Sequence, residues 1–338
     1  FHPLESAVYT VIPLAATVLV LAAQGVLGRF WFWTIRYASA YVTEVPRARA
    51  WSNLTEGVKY VTTANLAFWI LGALGLAALW IRRWATRANV VLTGLLAASV
   101  LAICPGFYFR SHYFILVLPV IALFCGAALG FVRNALEGIV PRVGAAALAG
   151  CVLVAAIGLY VTHERDYLFS MSPRVLSRTI YDKLPFIEAQ EIGKYLRDRT
   201  DANDRIAVLG SEPEIYFYAG RKAATGYIYT YPLVEPQPYA ASMQEEMIRE
   251  IESAHPRYLV FSKVEGSWSM RRESDQGIIR WGHRYVRACY DPVGVVDIVS
   301  GDDTRIVWGD EALHYKAVSP NLVFTFRRKS DGPCAVGK

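Results

Sequence analysis

Arg110 and His112 stand two residues apart in the string Cys104-Pro105-Gly106-Phe107-Tyr108-Phe109-Arg110-Ser111-His112-Tyr113-Phe114, between two long apolar runs. Ionisable groups so near hydrocarbon depth are costly to hold and mark candidate functional positions. A guanidinium forks two phosphate oxygens and an imidazole adds a hydrogen bond, so a lipid-linked phosphate is the chemistry that fits this pair. The plainer alternative is that Arg110 snorkels to the interface while His112 caps a helix. Downstream, Tyr227-Ile228-Tyr229-Thr230-Tyr231 alternates tyrosine at period two, and an extended segment would place three rings on one face. Such a face stacks on sugars, with Arg221 and Glu235 nearby to hydrogen-bond hydroxyls; covering the junction with an apolar half of the chain is the equal alternative.

The elements that must position these groups divide into two kinds. Residues 1–161 hold five apolar stretches near the roughly 20 residues that a bilayer-spanning helix requires, at about 8–27, 64–81, 90–109, 113–132 and 143–161. Arg82, Arg83 and Arg87 crowd the link between the second and third, which predicts a cytoplasmic link there; the 133–142 link with Arg133 and Arg142 then also faces inward, and the loop 29–63 and the whole of 162–338 face outward. The opening Phe1-His2-Pro3-Leu4-Glu5-Ser6 has neither a Met nor a basic leader, so the first span is read as internal to a longer polypeptide rather than as a secretory signal.

Loop 29–63 interleaves Phe30, Trp31, Phe32, Trp33, Tyr37, Tyr41, Trp51 and Tyr60 with Arg29, Arg36, Arg47, Arg49 and Lys59, the composition of a segment lying in the headgroup layer. It reads either as a lip that recruits a lipid phosphate or as simple anchoring. Glu44 and Glu56 are its carboxylates, and solvated pairing with neighbouring arginines is their ordinary role.

The net charge of +6 hints at nucleic acid, but it is unevenly placed. Residues 1–161 carry 11 basic and 4 acidic side chains, and 162–338 carry 24 and 25. The excess belongs with membrane phosphates, and nucleic-acid binding is disfavoured. Cys104, Cys125, Cys151, Cys289 and Cys334 form no CxxC or zinc pattern. Cys289 and Cys334 share the outer domain and could pair in an oxidising compartment, though two separate thiols are the blander reading. His163, His255, His283 and His314 show no metal-ligand spacing, so no metal site is expected.

Residues 162–338 alternate helical and strand periodicities, as in a small layered α/β domain. Pro185 to Arg199 and Met243 to Ser253 read as helices; Arg205 to Leu209, Tyr258 to Phe261, Val293 to Val299 and Leu322 to Arg327 read as strands, the last at an edge. Ser211 is placed to cap a helix that Gly220 closes. Ligands in α/β sheets gather where strands end, which singles out Gly210-Ser211-Glu212-Pro213 and Ser262-Lys263-Val264-Glu265. Neither G-x-G-x-x-G nor a Walker A string occurs, so nucleotide binding is not expected.

The Arg110 to Pro119 string, Arg-Ser-His-Tyr-Phe-Ile-Leu-Val-Leu-Pro, resembles the R-x-H-Y-hydrophobic-LP signature of bacterial GT-C fold membrane glycosyltransferases, the protein-mannosyltransferase-like enzymes related to the lipid A aminoarabinose transferases. Gly210 to Arg221 and Gly226 to Pro232 are similar to the extracytoplasmic tail of many such proteins. The resemblance implies a multi-pass protein of the bacterial inner membrane with its C-terminal domain periplasmic. The implied activity is sugar transfer from a polyprenyl-phosphate donor to a glycan, lipid or protein acceptor, with no cofactor assigned beyond that lipid-linked donor. Arg110, His112 and Tyr113 are the implied phosphate contacts; Glu212, Tyr216, Arg221, Tyr227, Tyr229, Tyr231 and Glu235 are candidate sugar or acceptor contacts. The family's catalytic Asp in the first outer loop has no counterpart here, and the base is expected upstream of Phe1. A non-catalytic membrane protein whose outer domain binds a glycan or a partner is the second reading. A transporter ranks third, because charges within the spans are lacking.

Overall fold

The computed structural model describes residues 3–42, 45–82, 86–330 and 334. Glu44 and Arg83 lie outside these. The chain separates into two compact units, Phe1–Ser170 and Met171–Lys338. The division falls past residue 161 because the last helix of unit 1 runs to His163 and a π-helical turn, Asp166–Ser170, follows it.

Unit 1 is helical: α1 (Pro3–Ala23), α2 (Leu27–Trp31), a π-helical stretch (Phe32–Tyr37), α3 (Ala38–Val42), α4 (Arg47–Thr63), α5 (Leu66–Arg82), α6 (Arg87–Ala102), α7 (Leu118–Leu136) and α8 (Arg142–His163). Among the described residues, α7 with 19 residues and α8 with 22 are long and apolar enough to cross a membrane; α4 and α5, bent by 104°, add a third if that pair is one span. This is fewer than the five spans expected, for local reasons. The stretch read as 90–109 stops helically at Ala102, because Cys104-Pro105-Gly106 turns the chain with Gly106 at φ 77°. The apolar segment Val11–Ala23 of α1 is likewise shorter than a span among the described residues, and the stretch read from 113 is α7, starting only at Leu118 after a 3-10 turn over Ser111–Leu116. Segment 29–63, read as a loop, is mostly helical.

The helices meet through small side chains. A Cβ at Gly75 would collide with the Phe124 carbonyl, and one at Gly72 would lie 3.1 Å from Ile121 Cγ2, so α5 and α7 approach backbone to backbone. The Cys125 thiol donates to the Phe68 carbonyl at 3.2 Å across the same contact, and Ala128 and Ala156 are buried beside it. Large apolar side chains such as Ile70, Leu74, Ile81, Val143 and Val154 point outward instead. Apolar outside and small inside is the arrangement lipid imposes, because tails solvate leucine as well as another helix does and only close packing favours association.

Unit 2 contains α9 (Pro173–Tyr181), α10 (Glu188–Arg197), β1 (Arg205–Leu209), α11 (Pro213–Ala219), β2 (Lys222–Ala223), α12 (Tyr231–Val234), α13 (Ala240–Ala254), β3 (Tyr258–Ser262), α14 (Glu265–Trp268), α15 (Gly277–Cys289), β4 (Tyr290–Ile298), β5 (Thr304–Trp308) and β6 (Leu322–Arg328). The sheet order is β2-β1-β3-β6-β4-β5; β2, β1 and β3 are parallel, and β6, β4 and β5 join antiparallel. β6, expected at an edge, is interior, since it pairs with β3 on one side and β4 on the other. Ile206, Val208, Val260, Val296 and Val323 of the sheet and Ile192, Leu196 and Ile215 of the helices form one core. At Gly282, α15 comes close to the sheet, where a Cβ would sit 2.9 Å from Leu209 Cδ1 and 3.2 Å from Phe261 Cε1. Arg178 of α9 donates to Glu188 Oε1 and to the Asp182 and Leu184 carbonyls, and Thr304 Oγ1 donates to the same carboxylate at 2.7 Å, which ties α9, α10 and β5 together.

Cys289 and Cys334, read as separate thiols, are bonded as a disulfide with Cα atoms 5.7 Å apart and a sequence separation of 45. The chain between them carries β4, β5 and β6, and the return of β6 alongside β4 brings its end back to α15.

Two outcomes are expected. Gly75→Leu forces a side chain into the Phe124 carbonyl and should cost about 1–3 kcal/mol; the folded fraction in detergent falls, whereas Gly94→Leu, whose Cβ position is open, leaves it unchanged. Cys289→Ser releases the 45-residue closure and should lower the stability of unit 2 by about 4 kcal/mol on the loop-entropy relation, seen as a matching drop in the denaturation midpoint of the native protein when a reductant is added.

Candidate functional site

The segment joining α6 to α7 is built on strained backbone. Gly106, Phe107 and Phe109 all have positive φ, at 77°, 53° and 45°. For a phenylalanine this is uncommon and persists only where the surroundings enforce it. α4 supplies that enforcement. Asn53 Nδ2 donates to the Phe107 carbonyl at 2.9 Å. Gly57 leaves room for the Phe109 carbonyl, with which any Cβ would collide, and for the Phe114 ring at 3.0 Å. Phe109 and Phe114 are buried in the core with Ile103, Val117, Val120 and Phe124.

Because Phe109 turns inward, Arg110 turns out. Its backbone is extended, φ −62° and ψ 145°, and it precedes the Ser111–Leu116 turn. Its guanidinium stands 5.1 Å from the centroid of the Tyr108 ring. His112 is exposed and meets Tyr113 edge to face at 4.7 Å, with Tyr113 half-buried. No side-chain cap bond is formed at the start of this turn, so His112 does not serve as a helix cap. The sequence candidates Arg110, His112 and Tyr113 are thus displayed together on an anchored turn against α4, which itself exposes Arg47, Arg49, Trp51, Glu56, Lys59 and Tyr60. Two donors on a fixed backbone can hold an anion without having to be ordered first. Asn53 and Gly57, the residues that set the turn, were not singled out from sequence; an isolated glycine within a helical pattern was the available signal.

In unit 2 the adjacent parallel strands β1 and β3 end at Leu209 and Ser262, and Gly210 follows β1. Gly210 has φ 152°, and a Cβ there would collide with Glu212 Oε2 and lie 2.8 Å from Ser262 Cβ. Glu212 is 1% exposed. Ser267 Oγ donates to Glu212 Oε1, and Ser262 Oγ lies 2.6 Å from Ser267 Oγ. Thr230 Oγ1 reaches the Ser267 carbonyl at 3.3 Å and Ser211 Oγ at 3.0 Å; Trp268 Nε1 donates to the Ser262 carbonyl at 2.9 Å and the Tyr231 hydroxyl to the Gly266 carbonyl. Ser211 therefore ties to Thr230 instead of capping α11, whose cap position falls on Glu212 with no side-chain bond. Gly220 closes α11 in the left-handed conformation, as expected. Burial pushes the Glu212 carboxyl up to about 8; the Ser267 hydrogen bond pulls down against it, and the Glu214 charge pushes the same way as burial. Glu212 Oε2 is a buried atom with no hydrogen-bond partner among the described residues.

The other sequence candidates are not gathered on one face. Tyr216 is buried, its hydroxyl accepting from Val208 N at 2.8 Å. Arg221 donates to Thr200 Oγ1 at 2.9 Å and to the carbonyls of Thr200, Arg197, Ala219 and Gly220, closing the ends of α10 and α11. Tyr227 is buried and donates to Glu246 Oε2 at 2.6 Å, whereas Tyr229 is 46% exposed and rests against Tyr231 with centroids 4.5 Å apart. The alternating face does not form because 225–230 runs as bends: Glu250 accepts from Thr225 Oγ1 at 2.6 Å and Gly226 N at 2.9 Å and pulls the chain inward. Glu235 is half-buried at the end of α12. Among the described residues no group of His, Cys, Asp and Glu is arranged to hold a metal.

The Glu212 carboxyl sets a pH dependence. Its proton is kept in the folded state to about pH 8 but lost in the unfolded chain at about 4.5. The stabilisation is fully present below pH 4.5, declines through the interval, and is gone above about 8, with a slope of about 1.4 kcal/mol per pH unit. Thermal unfolding of unit 2 across this range should show that decline, and Glu212→Gln should remove it; equal slopes in the two proteins would refute the assignment.

No protein-family model, no curated protein and no solved structure matches this chain.

Proposed function

We propose that this chain is the carrier-binding part of a membrane glycosyltransferase that moves a sugar from a polyprenyl-phosphate donor to an acceptor on the extracytoplasmic face. The observation that carries the reading is the anchored turn on which Arg110 and His112 are displayed against α4. A phosphate has the charge and the acceptor geometry to satisfy both groups, and α4, rich in exposed arginine and aromatic side chains and bent by 104° from the apolar α5, suits a helix lying in the headgroup layer ahead of a span. In this reading Arg110 and His112 donate hydrogen bonds to the leaving phosphate as its charge grows on departure, and a carboxylate base deprotonates the acceptor hydroxyl that attacks the anomeric carbon with inversion. The assignment to this chain is carrier binding and leaving-group stabilisation, not the base.

The topology that goes with it has five spans, carried by α1, α5, α6, α7 and α8, with unit 2 outside the inner membrane. The Cys289–Cys334 bond favours that side, because such bonds persist in oxidising compartments.

Arg110→Ala should weaken binding of a polyprenyl-phosphate analogue by about 10- to 100-fold, the equivalent of one charge-assisted forked contact, with membrane insertion intact. Sugar transfer in membranes by a protein that also carries the base should fall in parallel. Affinity equal to the parent protein's would overturn the phosphate assignment.

A further inference from the structure

Three arginines stand side by side at the end of the unit 2 sheet opposite Glu212. Arg205 opens β1, Arg257 precedes β3 and Arg328 ends β6. The registers place them level with one another: Ile206 pairs with Tyr258 and Tyr258 with Arg327, and Arg328 N donates to the Arg257 carbonyl at 2.9 Å. Residues level on neighbouring strands point to the same face, with strands about 4.8 Å apart. Like charges placed so are destabilising; Arg328, 9% exposed, packs 5.9 Å from the centroid of the Tyr290 ring, whereas Arg205 and Arg257 are exposed.

The row borders a recess of about 600 Å³ lined by Asn203, Asp204, Arg205, His255, Arg257 and Arg328. Asp204 is the carboxylate of this lining. It lies 3.7 Å from Arg257 and also accepts from Asp201 N at 2.9 Å, so its charge is shared. The geometry of the guanidiniums is held from behind. Arg205 donates to the Ala223 carbonyl at 2.9 Å, and Arg328 donates through Nε to the Ser330 carbonyl at 2.9 Å and through Nη1 to the Tyr285 hydroxyl at 3.4 Å. Unit 2 as a whole is close to neutral, so this excess of positive charge is local. A second recess of about 620 Å³ shares Arg205 and Ala254 with the first and is lined by Thr225, Gly226, Glu250 and Ser253. A cationic compartment thus adjoins one walled by hydroxyls and a carboxylate.

We infer that this paired recess binds a phosphorylated monosaccharide, its phosphate against the exposed Arg205 and Arg257, with the buried Arg328 lining the recess, and its hydroxyls toward Glu250 and Ser253. Arginine suits the role because its planar fork matches phosphate oxygens, and recesses of this size accommodate small molecules. The inference stands independently of the carrier assignment to Arg110, which lies in the other unit.

The test is titration calorimetry on the full chain in detergent at physiological salt, using glucose 6-phosphate, inorganic phosphate and glucose as probes. Glucose 6-phosphate should bind, more tightly than inorganic phosphate, with no heat from glucose. Arg205→Gln and Arg257→Gln, both at exposed side chains, should each weaken it about 10-fold or more, and Ser253→Ala should weaken glucose 6-phosphate but not inorganic phosphate. Arg110→Ala should leave this binding as it is. Absence of binding by either phosphate, or equal affinity in the two arginine variants and the parent, overturns the site. Equal affinity for inorganic phosphate and glucose 6-phosphate overturns the sugar assignment.

Discussion

Close approach of backbones at glycine is the constraint on which unit 1 depends. Gly75 lets α5 lie against the Phe124 carbonyl of α7, and Gly57 lets α4 receive the carbonyl of Phe109. In a lipid environment larger side chains would gain nothing by facing another helix, so these contacts set the helix arrangement. Once α4 and α7 are placed, the segment between α6 and α7 has little freedom. Its hydrophobic rings, Phe109 and Phe114, enter the core, and the polar residues between them are left outside. The positive φ values at Phe107 and Phe109 are a cost that the Asn53 hydrogen bond and the ring burial offset. The display of Arg110 and His112 is therefore a consequence of how α4 packs on the phenylalanines that flank them.

Unit 2 shows two ends of one sheet treated in opposite ways. Where β1 and β3 finish, polar side chains turn on one another: Glu212, Ser262, Ser267, Ser211 and Thr230 close the crevice that α/β sheets commonly leave for a ligand. A neutral glutamic acid is the species compatible with such burial, since desolvation outweighs the serine hydrogen bond and pushes the carboxyl up to about 8. Where the same strands begin, the antiparallel return of β6 adds a third arginine to two already there, and the end stays open. Mixed strand direction matters here, because a parallel β6 would have carried Arg328 to the other end of the sheet.

Much of the secondary structure was legible because it is local. Arg205 to Leu209 reads as a strand and is one, Tyr258 to Phe261 likewise, and Gly220 ends α11 as its type predicts. α15 was equally legible and was not read: Ile278, Trp281, Gly282, Tyr285, Val286 and Cys289 recur at helical spacing and all are buried. The tyrosine run failed differently. Its period of two is a strand signal only if the backbone is extended, and Glu250 holds it bent.

What the sequence determined by itself was the division into an apolar helical half and a polar α/β half, and most of the strands and helices of the second. These follow from composition and from periodicities a few residues long, which any chain segment expresses without reference to the rest. The tertiary structure alone decided that Glu212 is buried, that Cys289 meets Cys334, that β6 is interior, and that Arg205, Arg257 and Arg328 form a row. Each of these depends on which distant segments become neighbours. Strand order and register set that, through the shared burial of many side chains at once, and no single stretch of sequence carries it.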